Sequence, residues 1–201
     1  MYTMEQLNFT LFSLLNGPAT PAPFALCAAL LFGEWMIWLL PVAAVLVWLR
    51  TDEAMRGRLL AATVTVLAGL CLNQLIGLGW QHPRPFMLHL GHTFIAHVAD
   101  SSFPSDHLTV IWCAACSLLI QRPTRAAGTV IAALGVAAAW GRIYLGVHFP
   151  LDMLGAAVVA IGSTAIVSLM PARAISATLR CTTRLHRAVF APFIAHGWVH
   201  D

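Results

Sequence analysis

"WGRIYLGVHFPLDMLG", residues 140–155, separates two strongly apolar runs, yet it carries Arg142, His148 and Asp152, spaced six and four residues apart. Ionisable side chains at membrane depth are costly and usually functional. Pro150 sets their local geometry. Proline is favoured at the first helical position, so a helix is expected to begin there, with His148 just before it and Asp152 in its first turn. From that turn a carboxylate can reach back to a ring nitrogen of His148. It would fix the tautomer and present the other nitrogen as a nucleophile or base.

The surrounding chain is 201 residues long, 59% hydrophobic and 9% charged. A soluble globular protein is about 25% charged, so composition alone indicates a membrane protein. Length allows a single domain, 1–201. Residues 1–6 lack the basic start of a cleavable signal peptide. Net charge is +3, and no nucleic-acid partner is expected. A bilayer-crossing helix needs roughly 20 apolar residues. Five windows fit or nearly fit, at about 22–49, 57–79, 104–120, 126–145 and 152–170. The first is over-long and is interrupted by Glu34. The expected architecture is an all-α polytopic bundle of about five transmembrane helices.

Every basic residue is an arginine. Arg50, Arg56 and Arg58 fall between spans one and two, Arg122 and Arg125 between three and four, and Arg173, Arg180, Arg184 and Arg187 after five. The positive-inside rule places these nine in the cytoplasm, with the C-terminus. Arg84 and Arg142 belong to the opposite, external face, where that rule gives no reason for them. Residues 3–16 are expected to form an interfacial helix on the outer surface. The tail 171–201 reads as a basic amphipathic segment with a frayed end. Asn8-Phe9-Thr10 fits a glycosylation sequon, a triplet too common to carry weight. Cys113 and Cys116 form a C-x-x-C with no second pair, and are read as small residues in a packed helix. Trp35, Trp38, Trp80 and Trp140 are read as interface anchors.

Three segments meet on the outer face: "WQHPRPF" (80–86), "SSFPSDH" (101–107) and the opening stretch. Pro104 predicts the start of span three, with Ser102 or Phe103 as cap and Ser105 and His107 in the first turn. A helix N-terminus with free N–H groups binds anions, and arginine forks suit phosphate oxygens. Arg84, Arg142, His107, His148, Asp152, Ser105 and two helix starts therefore compose an oxyanion pocket with an activated imidazole. Glu34 lines that pocket or reaches the surface. The segment 80–103, with His89, His92 and His97, is a lid or a surface-lying loop.

These motifs resemble the type 2 phosphatidic acid phosphatase (PAP2) superfamily, which also includes vanadium haloperoxidases. The family pattern is lysine, six residues, Arg-Pro; then Pro-Ser-Gly-His; then Ser-Arg, five residues, His, three residues, Asp. Here Arg84-Pro85 is kept but Gly77 stands in place of lysine. Pro104-Ser105-Asp106-His107 has aspartate for glycine, and Gly141 replaces the serine before Arg142. "HPRPF", "FPSDH" and "GRIYLGVHFPLD" resemble the undecaprenyl pyrophosphate phosphatases of the BcrC type. The resemblance implies hydrolysis of that lipid diphosphate at the outer face of a bacterial inner membrane. This recycles the carrier for peptidoglycan synthesis and can confer bacitracin resistance. It implies His148 as nucleophile forming a phosphohistidine, Asp152 as its orienting carboxylate and His107 as acid and base. Arg84, Arg142 and Ser105 would hold phosphate. No metal or cofactor is expected, and the partners are the polyprenyl diphosphate and membrane lipids. Gln81, His82 or Trp80 could fill the contact left by the absent lysine. Related lipid phosphatases or phosphotransferases acting on phosphatidylglycerol phosphate or lipid A remain alternatives. A haloperoxidase and a non-enzymatic lipid carrier are more distant ones.

Overall fold

The computed structural model describes residues 3–201, and Met1 and Tyr2 lie outside it. Helix α1 (Met4–Leu15) is opened by Thr3, whose hydroxyl accepts from the Gln6 N–H while the Gln6 side chain accepts from the Thr3 N–H. At 12 residues it is too short to cross a bilayer. It buries Asn8 and Phe12 and leaves Met4, Leu7, Leu11 and Leu14 exposed, as an interfacial helix requires.

The first span is helical from Pro23 to Arg50, but its winding changes midway. Helix α2 (Pro23–Leu30) passes into a π turn at Leu31–Trp35, then a 3-10 turn at Met36–Trp38, then α3 (Leu39–Arg50). Glu34 does not break the span; it sits in the widened turn, and such turns recur at functional sites. Pro41 falls in the first turn of α3, where its missing N–H costs least. Asp52 caps α4 (Glu53–Gly79) by accepting from Met55 N–H at 2.9 Å. A long loop holding one 3-10 turn, Pro85–Leu88, leads to α5 (Asp106–Leu119). Helices α6 (Arg125–Tyr144), α7 (Pro150–Ser168) and α8 (Ala172–Ala195) complete the chain.

Four stretches, Pro23–Arg50, Glu53–Gly79, Arg122–Tyr144 and Pro150–Ser168, are long and apolar enough to cross a membrane. With them the protein is a multi-pass helical membrane bundle. The expected third span is shorter than its window: α5 has 14 residues, about 21 Å at 1.5 Å per residue. It packs against α4, α6 and α7, so neighbouring helices surround it where lipid would surround an outer helix. Its start also differs from expectation. The cap is Ser105, not Ser102 or Phe103, and its hydroxyl accepts from the Leu108 N–H. Ser102 cannot serve as cap because its hydroxyl is committed to Asp152.

The core runs along the α5–α6–α7 seam, where Leu108, Ile111, Ala138, Ile143, Phe149 and Ala156 are buried together. The π turn packs backbone to backbone on α6. A Cβ on Gly141 would come within 2.7 Å of Gly33 N, and one on Gly33 within 2.8 Å of the Gly141 carbonyl carbon. Two glycines are needed for that approach. Cys113 is buried and Cys116 partly so, both as free thiols on α5.

The C-terminal tail does not fray. His200 N–H donates to Leu49 O at 2.9 Å, and Arg56 donates from Nη2 to His200 O at 2.8 Å. Arg56 is fully buried, with Trp48 O also accepting from its Nε and His186 beside it. One of the nine cytoplasm-assigned arginines is thus structural, fastening α8 and the tail to α3 and α4.

Candidate active site

His148 leaves the end of α6 immediately before Pro150 opens α7. Asp152, in the first turn of α7, is 0% exposed and places Oδ2 3.1 Å from His148 Nδ1. The same oxygen accepts from the Phe149 N–H at 2.7 Å and from the Ser102 hydroxyl. The carboxylate accepts, so Nδ1 carries the imidazole proton and Nε2 keeps its lone pair. Burial pushes the His148 pKa well below its ordinary value, and the charges of Arg84 and Arg142 push the same way. The ring is therefore neutral near pH 7, the form a nucleophile requires.

Two donors face that lone pair. Arg84 Nη1 lies 3.0 Å from His148 Nε2, and Ser105 Oγ lies 3.3 Å from it. Arg84 is held on all sides: Nε donates to Asp100 Oδ1 at 2.8 Å, Nη1 also to Val147 O at 2.9 Å, and Nη2 to Ser101 O at 3.3 Å. Ser105 N–H donates to the Asp152 backbone carbonyl at 3.3 Å, stitching the start of α5 to the start of α7. Local proline-led helix starts, readable in the sequence, thus converge on one point.

Arg142 arrives from α6 and is 4% exposed. Its Nη1 donates to Gly33 O at 3.2 Å and Glu34 Oε2 at 2.8 Å, while Nε has no partner among the described residues. His107, partly buried, also has an Nε2 without a partner among the described residues. Arg142, His107, His97 and Glu34 form the polar end of a cavity of about 800 Å³. The rest of it is mostly apolar, bordered by Leu40, Val47, Leu59, Val110 and Ile131 of α3 to α6, with Thr63 and Thr124. Hydrogen-bond donors left unpaired beside an apolar cavity can receive an anion carried on a lipid.

Gln81 and His82 lie elsewhere. Gln81 borders a separate cleft with Asn73, Gln74, Gly77, Asp100 and Asp106. His82 is buried with Nε2 3.2 Å from Glu5 Oε1 of α1, which fixes the loop start rather than facing His148.

Several supporting residues were not foreseen. Asn8, the discounted sequon, is 1% exposed, and its Oδ1 accepts from Leu151 N–H at 3.1 Å, capping α7. Its signal was an amide one turn before Phe12 on the buried face of α1. Asn16 accepts from His92 N–H at 2.7 Å and donates to His92 O at 2.9 Å and Tyr144 O at 3.0 Å. Phe94 N–H donates to Leu145 O at 3.1 Å. Gly146, at φ +80°, lets the loop close in, since a Cβ there would sit 2.1 Å from His92 O. The segment 80–103 is therefore a fastened cover, and it brings His97 to a 6.1 Å ring distance from His148. Ser102 and Asp100 act at a distance in sequence that local spacing does not encode.

Comparison with known proteins shows what the chain is similar to. The PAP2 superfamily model matches residues 58–176. YbjG of Escherichia coli (strain K12), provisionally named an undecaprenyl-diphosphatase, is 35% identical over 98% of this chain and 100% of its own. The undecaprenyl-diphosphatase BcrC of Bacillus subtilis (strain 168) is 34% identical over 77% of this chain and 79% of its own. The crystal structure of Aquifex aeolicus LpxE has the same fold, with a TM-score of 0.64 at 20% identity, covering 82% of this chain and 96% of that one.

Proposed function

The chain belongs to the PAP2 superfamily, and from that premise we propose that it removes the terminal phosphate of undecaprenyl diphosphate. The observation that carries this is the neutral His148, with Asp152 at Nδ1 and Arg84 and Ser105 around Nε2. An apolar cavity beside it suits a long lipid tail. The names of the relatives supply the lipid class.

In the first step, Nε2 attacks the terminal phosphorus and forms an N–P bond as the bridging P–O bond breaks. The leaving group is undecaprenyl phosphate, protonated by His107 as required. The phosphorylated imidazolium keeps its proton on Nδ1 and donates it as a hydrogen bond to Asp152. Water then attacks the phosphohistidine, His107 takes its proton, the N–P bond breaks, and inorganic phosphate leaves. Phosphoryl transfer has a loose transition state, so positioning and charge dominate. Arg84, Arg142, Ser105 and the N-terminus of α5 supply both.

The whole chain, 1–201, acts as one domain in the bacterial inner membrane. The site faces the periplasm or outside, because Arg50, Arg122, Arg125 and the arginines of α8 lie toward the other end of the helices. Carrier-lipid recycling for peptidoglycan, with bacitracin resistance, follows from that activity. The test is phosphate release by the purified protein from undecaprenyl diphosphate, undecaprenyl monophosphate and phosphatidic acid, with EDTA present. Preference for the diphosphate is expected. No release from it would reject the reading, and preference for phosphatidic acid would move the substrate to glycerolipids.

A further inference from the structure

Each arginine of the site already has a carboxylate. Arg84 Nε is 2.8 Å from Asp100, and Arg142 Nη1 is 2.8 Å from Glu34. An entering phosphoryl dianion finds no uncompensated fixed cation among these residues. Positive charge beyond that of the two ion-paired arginines can come from a group that gains a proton. His148 is committed as the nucleophile, and the partnerless Nε2 of His107 serves the leaving oxygen.

His97 remains. It stands on the loop, borders the cavity with Glu34, His107 and Arg142, and its ring lies 6.1 Å from that of His148, nearly perpendicular at 77°. Its Nδ1 is 3.1 Å from the Val98 carbonyl. That oxygen can only accept, so Nδ1 carries the proton of the neutral ring and Nε2 is the nitrogen free to take another.

We propose that His97 is a fourth phosphate-binding side chain beside Arg84, Arg142 and Ser105, supplied by the cover loop, and that it takes up a proton as the phosphate binds. The proposal rests on the phosphatase reading and extends it to how the site balances charge. The groups facing His97 are Arg84 and Asp100 from the loop, Arg142 from α6, Glu34 from the π turn, His107 from α5 and His148 ahead of α7. In the empty site, burial holds its pKa below the ordinary value, helped by both arginines and opposed by the Val98 bond and Asp100. A bound dianion reverses that balance, because an opposite charge within a few ångströms favours the protonated ring. The resulting Nε2–H donates a charge-assisted bond to a phosphate oxygen.

The experiment measures orthovanadate inhibition, KM and kcat for the full-length protein in detergent from pH 6 to 9. Calorimetry of inorganic phosphate binding in two buffers of different ionisation enthalpy adds proton uptake. At pH 6.5 His97→Ala is expected to weaken vanadate inhibition and raise KM about tenfold, with a smaller change in kcat. At pH 9 the wild-type and His97→Ala values converge. His97→Lys, a fixed cation, keeps its affinity to higher pH than wild type. Wild-type phosphate binding takes up protons, and the two variants take up fewer. Wild-type-like KM, inhibition and proton uptake in both variants overturn the proposal. If a variant fails to fold, absence of proton uptake by wild type overturns it equally. A wild type that binds vanadate but leaves undecaprenyl diphosphate intact sinks the phosphatase assignment, while the vanadate comparisons still decide His97.

Discussion

Arg84 donates from Nη1 to the Nε2 lone pair of His148 across 3.0 Å, so the same bond that orients the imidazole also covers its unprotonated nitrogen. A phosphoryl group entering between them would accept from Arg84 and release the lone pair. Arg84 is fastened by Asp100, Val147 O and Ser101 O, which limits that movement to a small one.

The first prediction concerns His148 and the groups behind it. His148→Ala should abolish turnover, and Asp152→Asn should lower kcat roughly ten-thousand-fold by disturbing the tautomer, as in hydrolytic triads. Ser102→Ala removes one of the three donors on Asp152 Oδ2 and should cost about tenfold in kcat with little change in KM. The check is steady-state kinetics on folded protein, monitored by thermal unfolding. Equal turnover in Ser102→Ala and wild type would mean that Asp152 is held well enough without it.

The second concerns pH. Burial lowers the His148 pKa well below 6.5 in the fold, whereas an unfolded chain keeps about 6.5. Below pH 6.5 the unfolded state therefore binds the extra proton first, so His148 costs stability as pH falls through that window. The acid limb of kcat/KM due to His148 should likewise lie well below 6.5. Any alkaline loss should shift in His97→Ala while the acid limb stays in place. An acid limb at or above 6.5 that moves with His148 substitutions would contradict the neutral, buried ring.

The third tests the glycine contact. Restoring a side chain at Gly141, as Ala or Ser, places a Cβ 2.7 Å from Gly33 N and 2.9 Å from Ala29 O. Backbone atoms cannot swing aside, so the first span must shift, at a cost of about 1–3 kcal/mol. That shift also pulls Glu34 from Arg142. Gly141→Ala should lower Tm and raise KM, whereas Gly162→Ala, where a Cβ meets nothing, should do neither. Unchanged Tm in Gly141→Ala would show that the two helices sit further apart.

The fourth concerns orientation. In a cysteine-free background, Ala99→Cys on the cover loop should react with an impermeant maleimide added outside intact cells. Arg122→Cys, in the α5–α6 turn, should react only after permeabilisation. The reverse pattern would turn the site toward the cytoplasm.

Much of the fold was legible because membrane-crossing helices are written as local runs of apolar residues. Pro150 and the arginine-rich turns mark their ends in the same local way. The shortfall at α5 has a tertiary cause. Its first residues were assigned by proline preference, but Ser102 was already drawn to Asp152, 50 positions away. The winding change at Glu34 was also invisible; there Gly33 meets Gly141 across 108 residues.

For the site, the sequence by itself determined the His148–Asp152 pair, because a four-residue step across Pro150 is a matter of local helix geometry. It also named Arg84, Arg142, Ser105 and His107 as external groups through charge and helix starts. Only the tertiary structure decided what each of them touches. Asn8 caps α7, Asp100 holds Arg84, Glu34 holds Arg142, and the His97 ring stands 6.1 Å from that of His148. Those partners lie on other segments, and their hydrogen bonds exist only after the helices have packed. A buried charge must find such a partner, but nothing in local spacing says which one.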